Sequence, residues 1–204
     1  EAKAANAAEK ERIVATLITS AEKDPNWRVR RAALSVIANI YSPDPPAGQD
    51  RPAFKLDANV EAAVIRLTKD KESPIRADAV ELLGETQDKK YVDIYMAHLN
   101  DPSYSVIDQA AIALGKSKDA RVFDALMKLA PTPSWKNRVQ FAVLNGLAWL
   151  EDKRAFEYGY NTAQNKQLPP LIREYARILL SFIGKGEPRA FEVFSKSIKV
   201  ASEA

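Results

Sequence analysis

The chain has 204 residues, 46% of them hydrophobic and 28% charged, with a net charge of +3. That length suits one large domain or two small ones, and the composition supports a substantial buried core. So small a charge excess excludes a strongly basic nucleic-acid surface, the absence of cysteine excludes disulfides and thiolate metal sites, and no apolar run reaches the roughly 18 residues of a membrane span.

In chain order, apolar residues recur at helical spacing. They predict about eleven helices, near residues 6–22, 26–41, 58–70, 74–86, 89–100, 103–116, 120–130, 134–150, 153–166, 169–184 and 188–200. The opening "EAKAANAAEKER" carries no apolar h-region, so no signal peptide is expected there. Residues 42–57, "SPDPPAGQDRPAFKLD", form the one long irregular segment, a Pro-rich stretch without catalytic residue types that reads as a surface loop. Asn26, Ser73, Ser103 and Ser134 stand where N-caps belong, with Pro74 at a first-turn position that needs no N–H. Asp88, Asp119, Asp152 and Pro188 introduce the intervening helices.

Two interleaved series repeat. "WRVRRAALSVIAN" (27–39), "SPIRADAVELLGE" (73–85), "YSVIDQAAIALGK" (104–116), "WKNRVQFAVLNGL" (135–147) and "PLIREYARILLSF" (170–182) recur at steps of 46, 31, 31 and 35 residues. Between them, Lys90-Tyr-Val-Asp93, Arg121-Val-Phe-Asp124, Arg154-Ala-Phe-Glu157 and Arg189-Ala-Phe-Glu192 recur at steps of 31, 33 and 35. The carboxylates of this second series fall in a first helical turn, where the helix dipole favours them. A column of Ala38, Gly84, Gly115, Gly146 and Ser181 is united by smallness. It predicts close approach of neighbouring helices rather than a left-handed backbone.

Helix pairs with D-x-x-x-x-[VI]-R-x-x-A-[AV]-x-x-L-G resemble HEAT repeats, in particular the short HEAT-like variety first noted in phycobilisome lyases. The resemblance implies one all-α HEAT-like domain over residues 1–204, a right-handed α-α superhelix with first helices convex and second helices concave. It also implies an inter-repeat polar ladder, with Asp24 and Asp70 lying six residues before Arg30 and Arg76; Asp101 meets Ile107 instead, and Arg138 and Arg173 have no such Asp. Residues 133–157, "PSWKNRVQFAVLNGLAWLEDKRAFE", are similar to the HEAT-like C-terminal region of bacterial zinc aminopeptidases of the aminopeptidase N family. The HExxH motif of such enzymes is absent from this chain, whose single histidine is His98.

No nucleophile–base pair, P-loop or dinucleotide fingerprint occurs, and acid pairs such as Glu81/Glu85 read as solvated helix faces. Trp27, Tyr104 and Trp135 read as packing contacts. No cofactor, metal site or catalytic residue is expected. The sequence predicts a scaffold that binds a protein or peptide, either free-standing or against a catalytic domain N-terminal to it in the same polypeptide, and neither nucleic acid nor membrane. The second-helix residues Arg31, Asp78, Asp108, Gln109, Lys136, Gln140 and Glu174 are the candidate contact surface.

Overall fold

The computed structural model describes residues 2–42 and 52–202; most of the Pro-rich segment, and whatever role it has, therefore lies outside the described residues. Eleven α-helices occur among them: α1 (Ala2–Lys23), α2 (Trp27–Tyr41), α3 (Ala58–Leu67), α4 (Ser73–Glu85), α5 (Val92–His98), α6 (Tyr104–Ser117), α7 (Val122–Leu129), α8 (Arg138–Leu150), α9 (Phe156–Gln164), α10 (Pro170–Ile183) and α11 (Pro188–Ser202). Short 3₁₀ turns at Lys89–Tyr91, Trp135–Asn137 and Lys153–Ala155 lead into α5, α8 and α9. The described residues contain no strand. The helices gather into two compact units, residues 1–91 and 92–204.

In the first unit α1 packs on α2 and α3, and α4 packs on both α2 and α3. Its core holds Leu34, Ile37, Val60, Val64, Ile75, Val80 and Leu83. In the second unit α6 lies along α8, and α10 lies against α8 and α9. Val106, Ala110, Ala113 and Leu114 on α6, the stripe its sequence spacing predicts, are all buried. Each large aliphatic side chain so removed from water contributes about 1.5–3 kcal/mol, before conformational entropy is counted.

The helix starts follow capping chemistry, with two corrections. Asn26 accepts from the Arg28 N–H (3.0 Å), Asp88 from Lys90 (3.0 Å), Asp119 from Arg121 (2.9 Å) and Asp152 from Arg154 (2.9 Å). Ser134 Oγ accepts from the Val139 N–H at 3.0 Å. Ser73 is not a cap: it is the first residue of α4, and Glu72 stands at the cap position. Ser103 occupies its cap position without accepting a cap bond, because its hydroxyl pairs with that of Ser105 at 2.8 Å. The turns after α4, α6, α8 and α10 each use a left-handed residue: Gln87 (φ 56°), Lys118 (φ 52°), Glu151 (φ 57°) and Gly186 (φ 88°). Each stands three residues before the basic residue that opens the second series, Lys90, Arg121, Arg154 or Arg189.

The small-residue column proves to be a real close approach at one crossing. A β-carbon on Gly115 would collide with the Gly146 carbonyl oxygen and lie 2.7 Å from Trp149 Cβ. One on Gly146 would lie 2.6 Å from the Ala111 carbonyl oxygen. The two glycines thus serve the same α6–α8 crossing from opposite sides. Ser181, in the same column, is exposed.

Candidate functional site

In the first unit, α2 and α4 run side by side and leave a groove of about 270 Å³ between them. Leu34, Ala38 and Leu82 supply its apolar lining; Arg31, Ser35, Asn39, Asp78, Glu81 and Glu85 supply polar groups. Helical geometry explains the set, since Asp78, Glu81, Leu82 and Glu85 follow an i, i+3, i+4, i+7 spacing and share one face of α4. The groove is bridged by a two-point contact: Arg31 Nε donates to Asp78 Oδ2 (2.6 Å) and Nη2 to Asp78 Oδ1 (3.2 Å). These hydrogen bonds raise the Arg31 guanidinium further above its ordinary value.

A second, buried pair stands beside it. Arg30 Nε and Nη2 donate to Asp70 Oδ2 and Oδ1 (3.0 and 2.9 Å), and Arg30 Nη1 donates to the Asp24 carbonyl oxygen (3.0 Å). Burial alone would raise the Asp70 carboxyl. The hydrogen bonds from Arg30, the Glu72 N–H and the Arg30 charge outweigh it and hold the group below the ordinary carboxylate value. Arg76 Nη1 repeats the pattern on the Asp70 carbonyl oxygen at 2.8 Å. The expected inter-repeat ladder is present at Arg30, which joins the Asp70 carboxylate of the next repeat, and Arg76 adds a contact to the Asp70 carbonyl oxygen. The Asp six residues ahead offers its carbonyl oxygen, while its carboxylate caps its own turn, as Asp24 does for Asn26 (2.8 Å) and Asp70 for Glu72 (2.8 Å).

The remaining candidate contact residues lie in the second unit and do not gather into one site with Arg31 and Asp78. Asp108 on α6 faces Arg138 at 4.0 Å. Burial lifts its carboxyl above the ordinary value, against the charge of Arg138 and a hydrogen bond with Asn145. Gln109 and Gln140 are half-buried on α6 and α8. Glu174 on α10 accepts from Arg177 at 2.7 Å. Lys136 lies 4.5 Å over the ring of Trp135, in a turn where Lys136 and Asn137 are both left-handed (φ 50° and 57°). Trp135 itself is 65% exposed, so the aromatic column is not core there. The inter-repeat contact does exist, as the Trp135 N–H donates to Tyr104 Oη at 3.2 Å.

A further ladder escaped the sequence reading, which assigned its carboxylates to helix dipoles alone. In the second unit Arg121 reaches Asp93 (2.9 Å), Arg154 reaches Asp124 (3.9 Å) and Arg189 reaches Glu157 (2.6 Å), each bridging one repeat to the one before. In the first unit Lys90 reaches Glu61 in the same way at 3.0 Å. The same cations cover aromatic rings: Arg154 lies 4.2 Å from the Phe123 centroid and Arg189 lies 4.9 Å from that of Phe156. The signal was present in the regular steps of the second series, but spacing alone does not say which neighbour a side chain meets.

Residues 13–42 match the HEAT repeat family model, and residues 60–148 match the model for HEAT repeats in tandem. The chain is a HEAT-repeat protein. Its all-α HEAT fold has counterparts among solved structures. One is in the complex of CpcE and CpcF of phycocyanin lyase from Nostoc, with a TM-score of 0.65 at 18% identity over 88% of this chain and 68% of that one. Another is an engineered protein, with a TM-score of 0.55 at 16% identity over 92% of this chain and 86% of that one. No curated protein sequence matches. Among the described residues of this HEAT-repeat protein, no helix is long and apolar enough to cross a membrane, and no group of three or more His, Cys, Asp or Glu could hold a metal ion.

Proposed function

We propose that residues 1–204 act as one non-catalytic HEAT-repeat domain that binds a protein or peptide, with the α2–α4 groove as its principal contact site. The groove carries the reading: it is open, has an apolar floor, and is lined by three carboxylates against one guanidinium. Such a lining favours a segment bearing lysine or arginine. A random peptide library selected against the chain should return basic sequences whose binding falls at least tenfold in Asp78→Ala. Selected peptides that bind Asp78→Ala as tightly as the parent would reject the groove. Retention on a heparin column at about 0.3 M salt would favour nucleic acid instead, since counterion release makes weak basic patches let go below that.

The finer reading is that this domain is the C-terminal helical accessory part of an aminopeptidase N-type zinc metallopeptidase, bound to a catalytic domain within the same polypeptide. Its support is the resemblance of residues 133–157 to such regions, together with the exposed Trp135 at the head of that stretch, a side chain suited to anchoring an interface. A free-standing HEAT-repeat interaction module is the second reading, which the groove supports equally. The reading frame upstream of Glu1 separates them. The accessory-domain reading requires HExxH on a helix with a further Glu ligand about eighteen residues on, the two-His, one-carboxylate set of an open zinc site. An upstream frame with only further HEAT-like repeats leaves the free-standing module. Under either reading the purified chain hydrolyses no aminoacyl substrate, with or without zinc.

A further inference from the structure

Two neighbouring arginines of α2 are held in opposite ways. The Arg30 guanidinium meets the Asp70 carboxylate and the Asp24 carbonyl oxygen, and its side chain is 5% exposed. Withdrawing it would leave a buried carboxylate alone, so that pair stays closed. Arg31, at the mouth of the α2–α4 groove, has a side chain 47% exposed, and that of Asp78 is 22% exposed. An ion pair so open to water contributes little, because each partner is nearly as well solvated apart as together. Arg31 can therefore leave Asp78 easily.

Arg31 occupies the position that a ligand's cation needs. Its Nε and Nη2 meet Asp78 Oδ2 and Oδ1 at 2.6 and 3.2 Å, so one edge of a planar guanidinium engages both carboxylate oxygens. Glu81, three residues further along the same face of α4, adds its charge to the field that holds the guanidinium there. A second guanidinium in this place would satisfy both oxygens in the same way. An ammonium is a point charge on a flexible stem and matches the two oxygens less well. Leu34, Ala38 and Leu82 line the same groove and offer apolar surface to the methylene stem of an incoming side chain.

We infer that Arg31 is an intramolecular stand-in for the ligand: it fills the cation subsite on Asp78 until a partner's arginine displaces it, and the subsite selects arginine over lysine. The inference rests on the reading of the α2–α4 groove as the contact site. To that reading it adds the side chain preferred and a competitor, carried by the chain itself, that sets the affinity. The subsite is open only in the fraction of molecules whose Arg31 has swung away, and the apparent affinity is reduced by that fraction.

The test titrates the intact chain with two capped peptides of leucine and alanine, identical except that one carries arginines where the other carries lysines. NMR shifts are followed at low salt, where exposed pairs are least screened. Arg31→Ala should bind the arginine peptide about twofold to fivefold more tightly than the parent, the contribution of an exposed ion pair. It should bind the lysine peptide about threefold or more weakly than the arginine peptide. Asp78→Asn should weaken binding of the arginine peptide about tenfold. Arg28→Ala removes the same charge one turn earlier on α2, where the guanidinium lies 5.1 Å from the Trp27 ring centroid, and so reports the general field alone. It should strengthen binding less than Arg31→Ala does. If Asp78→Asn weakens binding but Arg28→Ala and Arg31→Ala strengthen it equally, or the two peptides bind equally, the inference falls and the groove stands. Parent-like binding by Asp78→Asn, or no binding of the arginine peptide to Arg31→Ala at about 1 mM, rejects the groove itself and the inference with it.

Discussion

Two crossings of inner helices, α6 with α8 and α2 with α4, start from the same repeat and end differently. At the first, Gly115 and Gly146 bring backbone against backbone and leave no space between the helices. At the second, Ala38 and Leu82 form a floor while the longer side chains Arg31 and Asp78 meet above it, leaving a groove. Side-chain size in a few columns therefore decides whether two such helices close on each other or leave a groove. The repeat motif itself is the same in both.

The comparison breaks most forcefully at the closed crossing. Gly115→Leu should destabilise the second unit by about 3 kcal/mol, seen as an early melting transition, because the obstruction is a main-chain carbonyl that cannot swing aside. Wild-type melting would mean that the crossing is not closed as described. Next comes the buried pair behind the open crossing. With Asp70 and Arg30 side chains only 10% and 5% exposed, Arg30→Met should cost about 3 kcal/mol in urea titrations by leaving the carboxylate buried and alone. The same pair sets a pH dependence. Since the folded Asp70 carboxyl lies below its unfolded value of about 3.9, its contribution is complete above that pH and is lost as the pH falls through the folded value. Asp70→Asn should flatten this acid limb of the stability curve.

Smaller effects sharpen the contrast. Gln87→Gly should stabilise by about 0.5 kcal/mol, the relief of a left-handed non-glycine residue less glycine's extra entropy in the unfolded chain. Arg31→Ala, at the mouth of the groove, removes a solvent-accessible pair and should change stability by less than about 1 kcal/mol while strengthening selection of basic peptides, because it frees the Asp78 carboxylate. Arg121→Ala, on the exposed ladder, should leave the melting temperature within error.

Most of the helices were legible because an apolar stripe and a capping Asp or Asn are local properties. The turns were not. Of the four left-handed positions that follow α4, α6, α8 and α10 only Gly186 is a glycine, and Gln87, Lys118 and Glu151 give no warning in the sequence. The ladder was legible at Arg30, whose tie to Asp70 of the next repeat is the inter-repeat contact the resemblance implies; the backbone carbonyls that Arg30 and Arg76 also engage were not, since spacing does not show main-chain acceptors. Arg31 and Asp78 were recognisable as second-helix polar residues. That they bridge 47 positions to form one rim depends on how far apart two helices sit, which periodicity does not encode.

The distance in sequence between ladder partners has a kinetic consequence. In the second unit the Arg121–Asp93, Arg138–Asp108, Arg154–Asp124 and Arg189–Glu157 pairs each span about one repeat, 28 to 32 residues. In the first unit Arg30–Asp70 and Arg31–Asp78 span 40 and 47. Closing the longer loop costs about 0.3 kcal/mol more, incurred once, when α2 first meets α4. Folding should therefore nucleate in the second unit and spread to the first. Stopped-flow φ-values should be high for Ala110 and Leu114 on α6 and low for Leu34 and Ile37 on α2.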